Sequence, residues 1–233
     1  MLKNLIYLGC LFLIGCKNDT QSNTFEIPKI IQLDKHDTVD FLHPQGILGV
    51  YPIFINKFKF SKELQMNFDS FRISQSKIDT ADFAQEGWQW HKFDSLSYDG
   101  FQVITDYNTD IQFSKYKEYE PYHHVFPVYI VNETKKNKLL IAKDSWVFAI
   151  QEAKDREGYW KVIEMDGFDW CGNGSWRLKI HPNEFGMFLM KKYKGDFKTQ
   201  LRVRLRIGET TYISQPYDGC INEIQFLPLQ YPK

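Results

Sequence analysis

The chain has 233 residues, with 29 lysines and arginines against 29 aspartates and glutamates. That balance leaves no electrostatic case for nucleic acid, or for an anionic membrane patch, as a partner. Aromatic residues make up 16% of the chain, as 19 Phe, 13 Tyr and 6 Trp, and strands select aromatic and β-branched side chains, so composition points to an all-β protein of one large or two small domains.

The first residues read MLKNLIYLGCLFLIGCKNDTQSNT. Lys3 precedes an apolar run over 5–14, too short to span a bilayer, which needs about 20 apolar residues, and laid out like a secretory signal. The run ends in Leu13-Ile14-Gly15-Cys16. All four positions resemble the lipobox of bacterial lipoproteins: an aliphatic residue, a small or aliphatic one, Gly or Ala, then the cysteine that is acylated and becomes the new N-terminus. Cys10 also follows a glycine, but cleavage there would shorten the apolar region to a few residues and put Tyr7 at the aliphatic position. The resemblance implies lipidation at Cys16, removal of 1–15, and a cell-envelope protein of the outer membrane, facing the periplasm or the surface. Several acyl chains bury enough methylenes, at about 0.8 kcal/mol each, for stable anchoring.

Residues after Cys16 are polar and aperiodic, and we expect a flexible tether over 16–40. Lys17 and Asp19 resemble the basic-then-acidic surface-export signal of Bacteroidota lipoproteins. Asp37-Thr38-Val39, Asp79-Thr80-Ala81 and Asp94-Ser95-Leu96 resemble the O-glycosylation tripeptides of the same group. Asn132-Glu133-Thr134 fits the eukaryotic N-glycan sequon, which the lipobox makes irrelevant.

From about residue 49 onward, period-two alternation dominates. Expected strands are VYPIFI (50–55), FRIS (71–74), FQVIT (101–105), VFPVYIV (125–131), KLLIAK (138–143), SWVFAIQEA (145–153), GYWKVIEM (158–165), WRLKI (176–180), GMFLMKKY (186–193), TQLRVRLRI (199–207) with a turn at Gly208-Glu209, and CINEIQF (220–226). Residues 61–90 also read mostly as strand. Thr80 is placed to cap a short helix over 81–86 there, before Gly87. We divide the remainder into a β-rich part over 41–120 and a β-sandwich over 121–233. The second resembles the immunoglobulin-like architecture in strand count and size, a likeness that carries no function.

Arg202, Arg204 and Arg206 share one face of their strand. They read as an anion-binding stripe or, by preference, as a solvated sheet face balanced by cross-strand acids. Cys171, His181 and Met187 follow the order of a cupredoxin site, yet a predicted strand separates them and would throw them to different ends of a sheet. Adjacent His123 and His124 point to opposite faces of a strand, which disfavours a shared metal. WCGNGSW around Cys171 has a faint likeness to the papain-type nucleophile motif but lacks its second cysteine and the following helix. Asp166 and Asp169 could imitate a glycosidase pair but sit in turn chemistry. G-x-S-x-G, H-E-x-x-H and phosphate-loop signatures are absent from the sequence. We therefore expect no catalytic residues, no metal and no cofactor.

Trp88 with Trp90, and Trp170 with Trp176, are candidates for stacking on sugar rings, and Tyr116, Tyr119 and Tyr122 crowd another stretch, although aromatics more often fill a core. With Cys16 lipidated, Cys171 and Cys220 are the mature protein's candidate disulfide; both follow an Asp-Gly turn, in an oxidising compartment. Closing that loop of about 50 residues would contribute about 4 kcal/mol on a chain-entropy basis. The expected function is that of a lipid-anchored, non-enzymatic binding or structural module, whose partners are the membrane and a glycan or another envelope protein. A glycan-binding accessory lipoprotein is the alternative, and an envelope enzyme the second.

Overall fold

The structure, a computed structural model, describes residues 24–41, 54–58, 62–68, 83–85, 95–114, 120–143, 147–164 and 175–227. The described chain is all-β. Long alternating or wholly apolar segments have no helical period, and burying one or both of their faces requires partner strands.

The first sheet is built on β8 (Tyr122–Asn132), whose eleven residues are buried on both faces from Val125 onward. It pairs along its length with antiparallel β13 (Glu184–Lys191), Val125 opposite Lys191 and Asn132 opposite Glu184. On its other edge run β6 (Gln102–Thr105) and β7 (Ile111–Phe113), both antiparallel; β2 (Val39–Asp40) pairs in parallel with the start of β8, across His123 from β7, and β3 (Phe54–Lys57) closes the far side against β13. Strands from both predicted parts thus share one sheet, and residue 120 does not separate two sheets.

A second sheet has the order β11 (Trp160–Val162), β10 (Ala149–Lys154), β14 (Phe197–Ile207), β15 (Thr210–Ile213), with β16 (Tyr217–Ile221) paired to the start of β14. The alternation read in β14 is realised: Leu201, Val203, Leu205 and Ile207 are fully buried, while the arginines between them face out. The β14–β15 hairpin turns through Gly208 at φ +57°, the positive-φ glycine that a two-residue turn beginning with glycine requires. A third sheet joins β5 (Phe83–Gln85), β12 (Ser175–Ile180) and β9 (Lys138–Lys143). The short helix expected over 81–86 is corrected here. Phe83, Ala84 and Gln85 pair with Leu178, Arg177 and Trp176, and sheet pairing overrides the weak capping signature of one polar residue before a few helix formers.

The N-terminal tether is also corrected. β1 (Lys29–Gln32) pairs in parallel with β4 (Glu63–Met66), and Phe25 is buried against Phe58, Tyr129 and Phe185. The Phe25 amide donates to Glu133 Oε1 at 3.1 Å. One aromatic anchor and one apolar pair, Ile30-Ile31, outweigh the polar composition around them. The last expected strand, 220–226, ends early: β16 stops at Ile221 and a 3-10 helix covers Glu223–Phe226. Asn222 accepts from the Ile224 amide while Gln225 reaches back to the Asn222 amide, a reciprocal cap that turns the chain out of the ladder.

One core unites these sheets. Phe101, Ile111, Phe126, Tyr129, Ile130, Leu140, Leu178, Phe185, Met187, Phe188, Val203 and Leu205 belong to a single buried cluster. A smaller cluster of Ala153, Ile163, Tyr193, Leu201 and Ile221 fills the end beside β11 and β16.

Candidate functional site

Two polar constellations stand out from this apolar frame. The first is buried. Glu164, directly after β11, accepts from the Gln151 amide (2.7 Å) and the Gln151 side chain (2.8 Å) on β10, and from the Tyr193 hydroxyl (2.7 Å) beyond β13. The Lys191 ammonium lies 3.8 Å from the same carboxylate. Gln151 also donates to the Lys191 carbonyl (3.0 Å) and accepts from the Tyr217 hydroxyl (2.9 Å). Burial pushes the Lys191 ammonium below its ordinary range, against the pull of Glu164, and holds the Tyr193 and Tyr217 phenols well above theirs. A carboxylate that satisfies three donors and faces a cation at 3.8 Å is a clamp between the first and second sheets, with both of its oxygens engaged.

The second lies on the outer face of the second sheet. Glu152 on β10 stands opposite Arg202 on β14. Arg202 Nε donates to Glu152 Oε2 at 2.7 Å, Arg202 Nη2 lies 2.7 Å from the same oxygen, and Arg204 Nε lies 2.9 Å from Oε1. The Arg202 guanidinium covers the Trp160 ring at 4.2 Å, with Lys154 Nζ 5.2 Å from the same ring. Lys154 donates to Gln200 at 2.9 Å. The preferred reading of the arginine row, a sheet face with a cross-strand acid, is thus realised for Arg202 and Arg204. Trp160 was not singled out from sequence; its neighbours on β14 lie some forty residues away, beyond any local pattern.

Of the residues singled out in the sequence, Cys16, Trp88, Trp90, Trp170, Cys171, Asp166 and Asp169 lie outside the described residues, as do Tyr116 and Tyr119. Trp176 is on β12, opposite Ala142 and Gln85. Cys220 is on β16, half-buried, with a free thiol. His123 and His124 diverge as expected. His123 is buried and lowered in pKa by that burial, whereas His124 Nδ1 lies 2.9 Å from Asp110, beneath the Phe41 ring. His181 bonds to Asn137 and Met187 is fully buried in β13, so these two residues of the copper order do not meet. Among the described residues no group of three His, Cys, Asp or Glu side chains is placed to hold a metal ion, and no helix is long and apolar enough to cross a membrane.

An ionic triad supports the third sheet. Lys138, buried at the start of β9, donates to Asp99 (2.7 Å) and Ser97 (2.8 Å). Ser97 Oγ in turn donates to Asp99 Oδ1, and the Lys138 bond first, the Ser97 bond second, hold the Asp99 carboxyl down at about 2. Comparison of the chain with protein-family models, with curated proteins and with solved structures finds no match in any of the three.

Proposed function

We propose that the protein is a lipid-anchored, non-enzymatic binding module of the cell envelope, attached to the outer membrane through Cys16. The supporting observation is the junction between anchor and core. Eight residues, nine Cα-to-Cα steps, separate Cys16 from the buried Phe25, and a fully extended chain covers at most about 3.3–3.6 Å per step. The folded body therefore stays within about 30 Å of the acyl chains, close enough to work at the membrane face. We read the packed sheets of 121–233 as a β-sandwich of immunoglobulin-like kind, a scaffold that presents surfaces and carries no chemistry of its own.

The test is metabolic labelling with a palmitate analogue in a bacterial host that processes lipoproteins, with mass analysis of the N-terminal peptide. Wild-type protein is expected to carry label on Cys16 and to lack 1–15. Cys16→Ser is expected to carry none and to keep its leader. Label that survives in Cys16→Ser, or an unlabelled wild-type chain, would overturn the reading.

A further inference from the structure

The two-stranded sheet of β1 and β4 turns one face to the core and the other to solvent. Inward go Leu64 and Met66, with Ile30 packed against the main cluster and Pro28 buried just before the strand. Period-two alternation sends the residues between them outward. Along β1 these are Ile27, 47% exposed, then Lys29, the half-buried Ile31, and Leu33, 59% exposed. Along β4 they are Glu63 and Gln65, with Gln65 opposite Ile31. The charges of this face cancel, since Lys29 Nζ lies 3.9 Å from Glu63 Oε2. What remains is a row of three aliphatic side chains on an electrically neutral surface.

The row begins two residues after Phe25, where the chain leading from Cys16 enters the fold. The core holds the inner face of this sheet, so the face left to turn toward the anchoring lipid is the one carrying Ile27, Ile31 and Leu33. We propose that the outer face of β1 rests on the bilayer that holds the anchor, with these three side chains seated at the boundary between headgroups and acyl chains. Interfacial segments bury their apolar face about 5–10 Å deep there, and the Lys29 stem is long enough to keep its ammonium among the headgroups. Three partly exposed aliphatic residues bind a membrane weakly by themselves. A short tether raises the local concentration to the order of millimolar, so a weak contact is occupied once the chain is anchored. A protein partner arriving from solution gains no such advantage, which favours the bilayer as the occupant. The neutral face predicts contact with lipid of any headgroup charge.

The proposal rests on the anchoring reading, and its test separates the two. The intact chain, purified from a host that processes lipoproteins, would be reconstituted into phosphatidylcholine vesicles with and without brominated acyl chains. An environment-sensitive fluorescent amino acid would replace Gln65, on the proposed face, or Tyr159, 67% exposed beside the second sheet. Bromine is expected to quench the Gln65 probe at least about twofold more than the Tyr159 probe, equally at low and high salt. Ile27→Ser with Leu33→Ser is expected to remove most of that difference with an unchanged urea midpoint. Equal quenching at the two positions, or full quenching at Gln65 in the double variant, would overturn the proposal. The mass of the N-terminal peptide from the same sample decides the anchoring. An acylated peptide with Gln65 unquenched would overturn the docking alone, and an acyl-free peptide with Gln65 quenched the anchoring alone. A chain that does not float with the vesicles would overturn both.

Discussion

Tyr193 donates its phenolic hydrogen to Glu164 at 2.7 Å, with both residues buried and 29 residues apart in the chain. Glu164 also faces Lys191 and accepts twice from Gln151, so its loss strands three donors and a cation together. Removing one partner of a buried charged network costs about 3–5 kcal/mol, the expected loss for Glu164→Ala in urea unfolding. Tyr193→Phe is expected to cost about 1.5–3 kcal/mol, the worth of a hydrogen bond to a charged group. Each of the two changes disables the same bond, so the double variant is expected to lose less than the sum; strict additivity would show that the two groups act independently.

Alkaline stability follows from buried phenols. Burial raises Tyr107, Tyr129, Tyr193, Tyr212 and Tyr217 above the ordinary value of 10.0, so each keeps its proton in the fold at pH values where the unfolded chain has released it. Their stabilisation is fully present below pH 10.0 and is lost as pH rises beyond it. Lys191, held below 10.5 by burial, acts in the opposite sense, since the unfolded state binds the extra proton and stability rises with pH there. Five phenols outweigh one ammonium, so urea midpoints are expected to fall steeply above pH 10.0. Tyr193→Phe with Tyr217→Phe is expected to flatten that fall. An unchanged slope in the double variant would show that these two phenols are not its source.

On the acid side Asp99 and Glu223 are both depressed, Glu223 by its bond with Arg156, and Asp99 is the further characterised of the two. Its folded pKa is about 2 against an ordinary 3.8, so its contribution is present above pH 3.8 and disappears as pH falls toward 2. Lys138→Met removes the first cause of that depression. In a carboxyl-detected NMR titration, Asp99 is expected to move back toward 3.8 in the variant, and an unshifted midpoint would assign the depression to Ser97.

Cys220 carries a free thiol in the structure. If the protein occupies the oxidising envelope proposed above, we expect it to pair with Cys171, given backbone positions that bring their Cα atoms within about 7 Å. Thiol titration of the denatured, unreduced mature protein is then expected to find none, whereas two thiols would end the idea.

Legibility in the sequence tracked how local the determining interactions are. The β14–β15 hairpin could be read directly, because alternation and a glycine turn lie within about fifteen residues. β8 could be found, but its partners could not, because burial of both faces erases the alternation that would orient it. The segment 25–40 read as tether because its membership of the fold depends on Phe25 meeting Tyr129 and Phe185, contacts more than a hundred residues away in sequence. The end of β16 was missed because Asn222 and Gln225 also continue a strand alternation when their capping bonds are unseen. Glu164 had no local signature at all: an acid before Met-Asp-Gly looks like turn chemistry until Gln151 and Tyr193 close around it. The three arginines were legible as a row, whereas the single buried acid that immobilises two of them was not.

With the anchor proposed at Cys16, the short passage to Phe25 would also give the molecule a mechanical character. Tension between such an anchor and the body would enter through the Phe25 ring and then through β1, whose four residues are paired side by side with β4. A pull directed along those strands loads all four pairs at once instead of opening them one at a time. Unseating Phe25 would release the β1 segment as slack chain and let the body move away from the bilayer while the two-sided core around β8 stays intact. In an anchored protein the Phe25 ring would therefore set the working height of the body, and the load at which that height would change.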